Sequence, residues 1–342
     1  MSVVFLVTGY PTAAGNIEGI FHRTLAEALV RAGAQVEVVS PMPRVPWPLA
    51  SVSRKWADYS ETAAEYRLDG VVVHRPRYWQ IPRANYLGAR HGSFARCLGK
   101  SVTRVPQVIH AHFAYPCGMA AVRVASRWRV PVVLTLHGSD VNVLPEKGRR
   151  ARRLFLAAIK GATFVSAVSE ALADRTERLA ARRPTVIPIG IDLRPYGGLP
   201  DKSVARETIG IPPDVRVALF VGALVKTKGV GLLLEALERI GRPDVLGVFV
   251  GQGPLRPAIS SAPRTRCVGG IPHEKIPMYM RAADVLALPS FSEGMPTVLV
   301  EAGAASLPVI ATSVGGINEL LSDGRGLLIP PNDVAGLVTA LD

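Results

Sequence analysis

The chain has 342 residues, of which 48 % are hydrophobic and 20 % charged, with a mean hydropathy of +0.24 and a net charge of +13. This composition is globular, and the length suggests two domains. No apolar run reaches the ~18 residues of a membrane-spanning helix. The first residues lack the basic region of a signal peptide and predict a buried strand instead. Cys97, Cys117 and Cys267 have neither CxxC nor CxxH spacing. This argues against a disulfide framework or zinc site, and we expect a cytoplasmic protein.

The basic excess lies entirely in the first part of the chain. Residues 1–196 contain 27 Lys+Arg and 13 Asp+Glu, whereas residues 197–342 contain 13 and 14. Basic and aromatic residues alternate over 43–59 and 74–90. Three interpretations stay open: a surface for anionic lipid or an anionic acceptor, a nucleic-acid surface, or a solvated arginine-rich face. All four tryptophans lie in the same half: Trp47, Trp56, Trp79 and Trp128.

Short apolar runs alternate with amphipathic stretches along the first half. Helices are predicted between several of these runs, for example over 19–31 and 169–181. Continuous β-branched runs separated by helices indicate a parallel sheet covered on both faces. The predicted strands are 3–8, 36–40, 70–74, 108–112, 131–137, 163–169 and 185–189.

A stretch rich in glycine and proline interrupts the pattern, and we take residues 191–203 as a linker. The alternation then restarts, with strands predicted over 216–222, 246–251, 266–270, 284–290, 308–313 and 326–331. The fold class is therefore α/β, with two doubly wound Rossmann-like domains over residues 1–190 and 204–342. Such folds bind ligands at the carboxyl ends of their strands, which predicts a ligand cleft between the domains. A last helix begins after Asn332 and stops after about two turns.

One loop that contains lysine and glycine is a candidate for binding anions. A strand ends at Gly222 and a helix opens near Gly229, with Lys228 just before it. A helix N-terminus beside a lysine attracts anions, although a surface lysine in an ordinary loop is an equally simple interpretation. Gly251 in "GQG" and Gly19 in "EGIF" also follow strands. Neither forms a dinucleotide fingerprint, and no acid follows the second strand to bind a ribose, which argues against a dehydrogenase.

Three histidines lie at predicted strand ends. His137 in "TLHGSD" points toward the predicted cleft unless it is a surface loop histidine. His110 and His112 have the i, i+2 spacing that could suit a metal. No carboxylate cluster stands near them and no DxD motif occurs, so we expect no metal.

The stretch "SEGMPTVLVEAGAA" contains two glutamates in apolar surroundings. Pro296 suits the first turn of a helix, which places Glu293 before the helix and Glu301 within it. A buried carboxylate without a partner costs several kcal/mol or more. Glu301 must therefore meet a buried donor, in a structural ion pair, or a ligand hydroxyl.

Over nearly its whole length the sequence resembles the retaining family-4 glycosyltransferases of the GT-B fold, closest to bacterial enzymes of cell-surface polysaccharide and glycolipid synthesis. The most specific element is the E-x7-E pattern from Glu293 to Glu301. "AADVLALPS", "GIPHEKIPMYM", "PVIATSVGGINELL" and "LTLHGSD" support it.

The resemblance implies a role for each candidate residue. His137, Lys228 and Glu293 would act on the transferred sugar and the leaving diphosphate, and Glu301 would accept hydrogen bonds from the ribose. No metal or cofactor would be needed besides the nucleotide-sugar co-substrate. The remaining donor-binding residues would be Gly19, Gly222, Lys226, Gly251, Ile271, Gly294, Met295, Pro296, Thr297 and Val298.

The implied reaction transfers a sugar from a UDP- or GDP-sugar to a hydroxyl of a glycan, lipid-linked or other small acceptor, with retention of configuration. The enzyme would be cytoplasmic, where its basic first domain could also hold it peripherally on the inner face of the plasma membrane, and we expect no nucleic acid as partner. The alternatives are a nucleotide-sugar epimerase or sugar phosphorylase of the same fold, or a non-enzymatic basic protein that binds membranes or nucleic acid.

The sequence departs from the family pattern at three positions. Ala223 stands where the family often has an arginine, so Lys226 could replace that diphosphate contact. Ile189 stands in place of an asparagine and Ser306 in place of a glycine. The family also runs some tens of residues further, into a helix that crosses back to the first domain, so we expect that this crossover helix is missing here.

Overall fold

The computed structural model describes residues 1–12, 18–45, 54–79 and 90–342, without the side chains of residues 54, 55, 56 and 58. The chain divides into two compact units, Met1–Pro188 and Ile189–Asp342. We call them unit 1 and unit 2 and describe each by itself. Trp47 and the side chain of Trp56, which belong to the basic and aromatic stretch over 43–59, lie outside the described residues.

Unit 1 is built from alternating strands and helices. Its strands are β1 Ser2–Leu6, β2 Gln35–Val39, β3 Met42–Pro43, β4 Glu65–Leu68, β5 Val71–His74, β6 Arg77–Tyr78, β7 Val108–His112, β8 Val132–Leu136, β9 Phe164–Ala167 and β10 Thr185–Val186. Its helices are α1 Ile20–Arg31, α2 Arg54–Glu61, α3 Arg90–Ser101, α4 Met119–Trp128, α5 Ser139–Asn142, α6 Arg149–Gly161 and α7 Glu170–Ala180, with a π-helical turn over Ala114–Gly118 and a 3-10 turn over Leu144–Lys147.

The main sheet of unit 1 has the strand order β10-β9-β8-β7-β1-β2-β5-β4. All its pairs are parallel except β4 with β5. The chain starts at β1 and grows outward in both directions, so the strand order reverses between β1 and β7. In doubly wound sheets a ligand site forms at this reversal.

Unit 2 repeats this architecture. Its strands are β11 Arg216–Val221, β12 Val245–Val250, β13 Thr265–Gly269, β14 Val285–Leu288, β15 Val309–Thr312 and β16 Leu327–Ile329. Its helices are α8 Lys202–Ile209, α9 Val230–Ile240, α10 Arg256–Ser261, α11 Ile276–Ala282, α12 Thr297–Ala304, α13 Ile317–Leu321 and α14 Val334–Leu341, with 3-10 turns over Arg194–Tyr196, Lys226–Lys228, His273–Lys275 and Ser322–Gly324.

The sheet of unit 2 is parallel, in the order β13-β12-β11-β14-β15-β16. Its order reverses between β11 and β14. Apolar strand residues and the inner faces of the helices form one core, as expected when helices cover both faces of a parallel sheet. The predicted α/β class with two doubly wound sheets is confirmed.

Local chemistry explains several element ends. The Ser169 side chain accepts from Leu172 N–H and caps α7, a preferred N-cap arrangement. After α12, Ser306 has φ +53°, a left-handed conformation that favours glycine. This accounts for the glycine that the resembled family has at this position.

The expectation that the basic stretch over 74–90 is an open surface is wrong for its first two arginines. Arg75 is buried and donates to Ser40 Oγ, 3.0 Å away, and to the Tyr10 carbonyl oxygen. Arg77 donates to the carbonyl oxygens of Tyr59 and Thr62. Both guanidinium groups therefore bind backbone carbonyl oxygens of neighbouring segments instead of solvent, which the sequence pattern did not predict. Residues 80–89 of the stretch lie outside the described residues.

Trp79 is exposed, and the Arg44 guanidinium lies 5.1 Å from the centre of its ring. In the part of the chain that the structure describes, the helices are too short or too polar to span a bilayer.

Candidate functional site

In unit 2 the loops after β11 and β14 meet where the strand order reverses. The Phe291 N–H donates to the Thr227 carbonyl oxygen over 3.0 Å. Gly229 has φ +69°, and a Cβ there would lie 1.8 Å from the Pro289 carbonyl oxygen. A glycine is therefore required at this position for the two loops to approach so closely.

This contact brings Lys228 and Glu293 together. Lys228 Nζ lies 2.6 Å from Glu293 Oε1 and 2.8 Å from Oε2. The Ser290 hydroxyl also donates to Glu293 Oε1, over 2.7 Å. Glu293 is 8 % exposed, whereas the Lys228 side chain is 31 % exposed. The two residues thus form an ion pair whose lysine reaches solvent, an arrangement that the sequence did not predict.

Glu301 occupies a separate buried position on α12. It is 5 % exposed, and its Oε1 lies 3.2 Å from His273 Nε2, in the turn after β13. The Tyr196 hydroxyl is close enough to feel this carboxylate, because burial first and the Glu301 charge second raise its pKa. Tyr196 makes no side-chain hydrogen bond within the described residues. The partner of Glu301 is therefore a half-buried histidine, and among the described residues no lysine or arginine pairs with this carboxylate.

The other predicted donor-binding positions of unit 2 lie at the ends of its strands β11, β12 and β13 or in the loops that follow them. Gly222 N–H donates to the Val250 carbonyl oxygen, and a Cβ on Gly251 would lie 1.8 Å from the Gly222 carbonyl oxygen. The ends of β11 and β12 therefore approach closely through glycine. Lys226 is exposed, and Ile271 is half-buried against the core of unit 2.

The helix α12 begins at Thr297, one residue later than predicted. Pro296 precedes it with an extended backbone, φ −75° and ψ 115°, and no side chain caps the helix. Gly294, Met295 and Pro296 are buried, while Thr297 and Val298 are half-buried. A helix N-terminus without a side-chain cap leaves N–H groups available for an anionic ligand.

Gly19 and His137 belong to unit 1. Gly19 starts α1 with φ +79°, and a Cβ there would lie 2.3 Å from the Gly9 carbonyl oxygen. His137 directly follows β8. Its N–H and that of Gly138 donate to Asp140 Oδ1, and the Ala114 N–H donates to Asp140 Oδ2. The buried Asp140 carboxylate thereby joins the loop after β7 to the loop after β8, although burial raises its pKa.

Four histidines, which we call the histidine cluster, lie together at the ends of β7 and β8 and on α1: His22, His110, His112 and His137. His112 Nδ1 lies 2.9 Å from His137 Nε2, and His22 Nδ1 lies 2.9 Å from the Gly9 carbonyl oxygen. The His110 and His112 rings are stacked with centres 4.3 Å apart. Four imidazole rings therefore share one small volume of unit 1.

The cluster is neutral because it is buried. Burial lowers the pKa of His22 to about 3 and that of His110 to about 4. It lowers the pKa of His112 and His137 far below the ordinary value, and the neighbouring histidines add to the effect. Desolvation disfavours the charged ring, so at neutral pH these rings offer lone pairs and N–H donors.

The sequence singled out His137, His110 and His112 but missed His22, Ser290 and His273. His22 lies on the inner face of α1 and His273 in a short turn. Neither has a spacing that a single sequence connects with its partners, because those partners are 90 and 28 residues away.

Comparison with known proteins places the chain in a family. Residues 20–194 match the family described as "Glycosyltransferase Family 4", and residues 215–342 match "Glycosyl transferases group 1". A Bacillus subtilis (strain 168) protein named as a teichuronic acid biosynthesis glycosyltransferase, TuaC, is 36 % identical over 346 residues, which cover 100 % of this chain and 88 % of that protein. The chain belongs to the family 4 glycosyltransferases.

Other relatives agree with this assignment. A D-inositol 3-phosphate glycosyltransferase from Pseudarthrobacter chlorophenolicus is 29 % identical over 94 % of this chain and 80 % of its own. Sucrose-phosphate synthase from Thermosynechococcus elongatus superimposes with a TM-score of 0.78 at 22 % identity, over 99 % of this chain and 88 % of its own. Anabaena HepE, solved in complex with UDP and glucose, superimposes with a TM-score of 0.73 at 21 % identity, over 100 % of this chain and 89 % of its own. The fold is GT-B, and the protein is a glycosyltransferase.

Proposed function

We propose that this enzyme transfers a sugar, with retention of configuration and without a metal, from a UDP- or GDP-sugar to a hydroxyl of a glycan or lipid-linked acceptor. The observation that carries the proposal is the Lys228–Glu293 pair beside Glu301, at the strand reversal of unit 2. This is where a doubly wound domain binds its ligand. HepE, which has the same fold, was solved with UDP-glucose.

The pair suggests how the site responds to the donor. In the unliganded protein each charge of Lys228 and Glu293 compensates the other. A diphosphate would compete for the lysine ammonium and leave the Glu293 carboxylate to accept hydrogen bonds from sugar hydroxyls. The Ser290 hydroxyl, which already donates to Glu293, would hold the carboxylate in place during that exchange. Glu301 would accept hydrogen bonds from the ribose, since it is buried and, in the described part of the chain, pairs with no lysine or arginine.

The chemistry follows from where charge develops. The bond between the anomeric carbon and the phosphate oxygen breaks, and its electron pair stays on that oxygen. Lys228 and the N–H groups at the start of α12 stabilise this negative charge, so no metal cation is needed to do so. The acceptor oxygen attacks from the same face, and its proton passes to the leaving phosphate oxygen. His137 would contact the transferred sugar.

The first test is a donor screen. We expect UDP or GDP, and the matching sugar nucleotides, to raise the melting temperature in a thermal-shift assay, because binding to the folded state alone stabilises it. Incubation with the stabilising donor and an acceptor should release the nucleoside diphosphate and yield a product with the donor's anomeric configuration by NMR.

Four outcomes of binding and activity assays would contradict the proposal. Absence of binding to every nucleotide sugar by calorimetry would refute the donor class. An epimer formed without acceptor would indicate an epimerase, and a product that requires inorganic phosphate would indicate a phosphorylase. Full activity in EDTA is expected, and loss of activity that Mg²⁺ or Mn²⁺ restores would refute a metal-independent reaction.

The acceptor class is proposed from the relatives and from charge. TuaC is named for teichuronic acid biosynthesis, and we propose a role in polysaccharide synthesis here. The enzyme would act in the cytoplasm, peripherally at the inner face of the plasma membrane.

A groove between α3 and α4 supplies the basic surface for this membrane contact. The groove has a volume of about 620 Å³ and is lined by Arg96, Arg123 and Arg127, with Trp128 at its side. All three arginines are exposed, and in the described part of the chain none of them forms an ion pair. Exposed guanidinium groups without carboxylate partners can bind lipid phosphates.

We expect the protein to sediment with vesicles that contain anionic phosphatidylglycerol and not with neutral vesicles. Replacing Arg96, Arg123 and Arg127 by glutamine should weaken this binding by roughly 10²-fold, since each basic residue contributes about 1 kcal/mol at an anionic surface. The control is a triple variant that removes the same number of positive charges from unit 2. It carries Arg216→Gln, Arg239→Gln and Arg325→Gln and should bind anionic vesicles nearly as well as the wild type. Equal recovery with neutral and anionic vesicles would refute the membrane role, as would preferential binding to DNA in a salt-dependent shift assay.

A further inference from the structure

We propose that His22, His112 and His137 bind one divalent transition-metal ion, with Zn²⁺ as the best match. This site lies in unit 1 and shares His137 with the sugar contact proposed above. It does not depend on which reaction the enzyme catalyses.

The geometry of the three rings fits a metal site. One nitrogen from each ring can be chosen so that the three chosen atoms lie within 4.8 Å of one another. A tetrahedral zinc site with bonds of about 2.0–2.1 Å places its ligand nitrogens about 3.4 Å apart. His112 Nδ1 and His137 Nε2 are 2.9 Å apart, so they need to separate by only a few tenths of an ångström. The His22 nitrogen would have to approach the other two by rotation of its ring, since the three atoms lie within 4.8 Å of one another and not yet at the zinc spacing.

The hydrogen bonds of His22 prepare it as a ligand. Its Nδ1 lies 2.9 Å from the Gly9 carbonyl oxygen, which accepts only from a protonated nitrogen. The proton is thereby fixed on Nδ1, and Nε2 carries a lone pair. Within the residues that the structure describes, this Nε2 is buried and has no hydrogen-bond partner. Metal-binding histidines typically donate their other N–H to a carbonyl or carboxylate in this way.

The other two rings also leave nitrogens without partners. His112 Nε2 and His137 Nδ1 are buried and make no hydrogen bond to the described residues. One hydrogen lies between His112 Nδ1 and His137 Nε2 in the metal-free cluster. If the metal takes that place, this hydrogen moves to the outer nitrogen of its own ring, so both rings stay neutral and no proton is lost. A buried polar atom without a partner costs about 1–3 kcal/mol. A metal would relieve this cost at His22 Nε2, whereas the outer nitrogens of His112 and His137 would not be among its ligands.

The surroundings select the kind of metal. The ligand set is all nitrogen, and the Asp140 carboxylate is already occupied by three backbone N–H groups. Phe21 packs 4.9 Å from the His137 ring and Phe5 packs 5.0 Å from the His112 ring. Imidazole ligands in apolar surroundings suit zinc and its neighbours and not Mg²⁺ or Ca²⁺. Three protein ligands leave a fourth position for water or an anion.

The test uses the full chain, stripped with EDTA and titrated with Zn²⁺ and with Co²⁺ in the absence of donor and acceptor. We expect one Zn²⁺ per chain, a rise in melting temperature, and the visible spectrum of four-coordinate Co²⁺. X-ray absorption should show nitrogen ligands at about 2.0–2.1 Å. Removal of a group that only hydrogen-bonds to a metal ligand costs up to about 100-fold in metal affinity. Replacing a ligand itself, as in His22→Asn or His112→Asn, should therefore weaken Zn²⁺ binding by at least about 100-fold.

The control variant is His91→Asn. His91 is a unit 1 histidine that also has a buried Nδ1 without a partner among the described residues, but it lies on α3 beside Tyr115 and not in the cluster. It should bind Zn²⁺ like the wild type. Folding of each variant is checked by circular dichroism, and His22→Asn alone suffices if His112→Asn does not fold. No saturable Zn²⁺ binding by the wild type, or wild-type affinity in a folded His22→Asn variant, would overturn the proposal. Neither result depends on a transferase assay.

Discussion

Replacing Lys228 by alanine is expected to lower kcat by about 10²–10³-fold, the loss that removal of one charge-stabilising donor typically causes. The reason is that the negative charge on the leaving diphosphate grows toward the transition state, so its interaction with the ammonium grows too. The donor KM should change less than kcat. Steady-state kinetics with the donor identified by the screen measures both values.

The matched control is Arg239→Ala. Arg239 forms a 2.6 Å pair with Glu235 on the exposed face of α9, so the same type of change is made in the same unit away from the site. Exposed helix pairs contribute about 0.3–0.5 kcal/mol, and kcat should stay unchanged. If Lys228 served only to neutralise Glu293, the Lys228→Ala, Glu293→Ala double variant would have the activity of Glu293→Ala alone. A Lys228→Ala enzyme with wild-type kcat would refute the role in catalysis.

Replacing Glu301 by alanine is expected to weaken nucleotide binding by at least about 10²-fold. Hydrogen bonds to a charged group contribute about 1.5–3 kcal/mol each, and a ribose would offer Glu301 two hydroxyls. The folded protein should tolerate the change, because the partner left behind, His273, is half-buried and can reach water. Isothermal calorimetry with UDP or GDP measures the loss, with Glu235→Ala as the variant that removes an exposed carboxylate.

Ligand fragments separate the two roles. Glu301→Ala should weaken binding of the nucleoside and the nucleoside monophosphate, whereas Lys228→Ala should weaken pyrophosphate and leave the nucleoside unchanged. Equal losses for all fragments in both variants would mean that the substitutions disturb unit 2 as a whole.

The fold was predictable because its signals are local. Each βαβ unit carries a continuous apolar run and a helix-period stretch, and β7 was predicted with the bounds that the structure has. The antiparallel β4 was missed because its residues alternate between exposed and half-buried positions, and that pattern lacks a buried run. Arg75 was misjudged because arginine is usually exposed, and only the tertiary structure shows the carbonyl and hydroxyl groups that it satisfies.

The sequence could predict which residues belong to the candidate site but not how they are arranged. Glu293, Glu301 and Lys228 could be named from sequence, but the ion pair between Lys228 and Glu293 spans 65 residues. It depends on the contact of two loops through Gly229, which no local pattern encodes. The same holds for His22, which joins the cluster through a ring packed 4.6 Å from that of His112.

Asp140, unlike the histidines near it, joins two loops at the end of the unit 1 sheet through their main chains. The carboxylate binds main-chain N–H groups from the loops after β7 and β8, so the spacing of these loops is set by the backbone. Ring substitutions at positions 112 and 137 therefore change the chemistry presented there while the frame that presents it is retained. Because the frame is held by main-chain contacts, the side chains it carries can be exchanged, and this strand edge is a scaffold into which other ligand sets can be engineered.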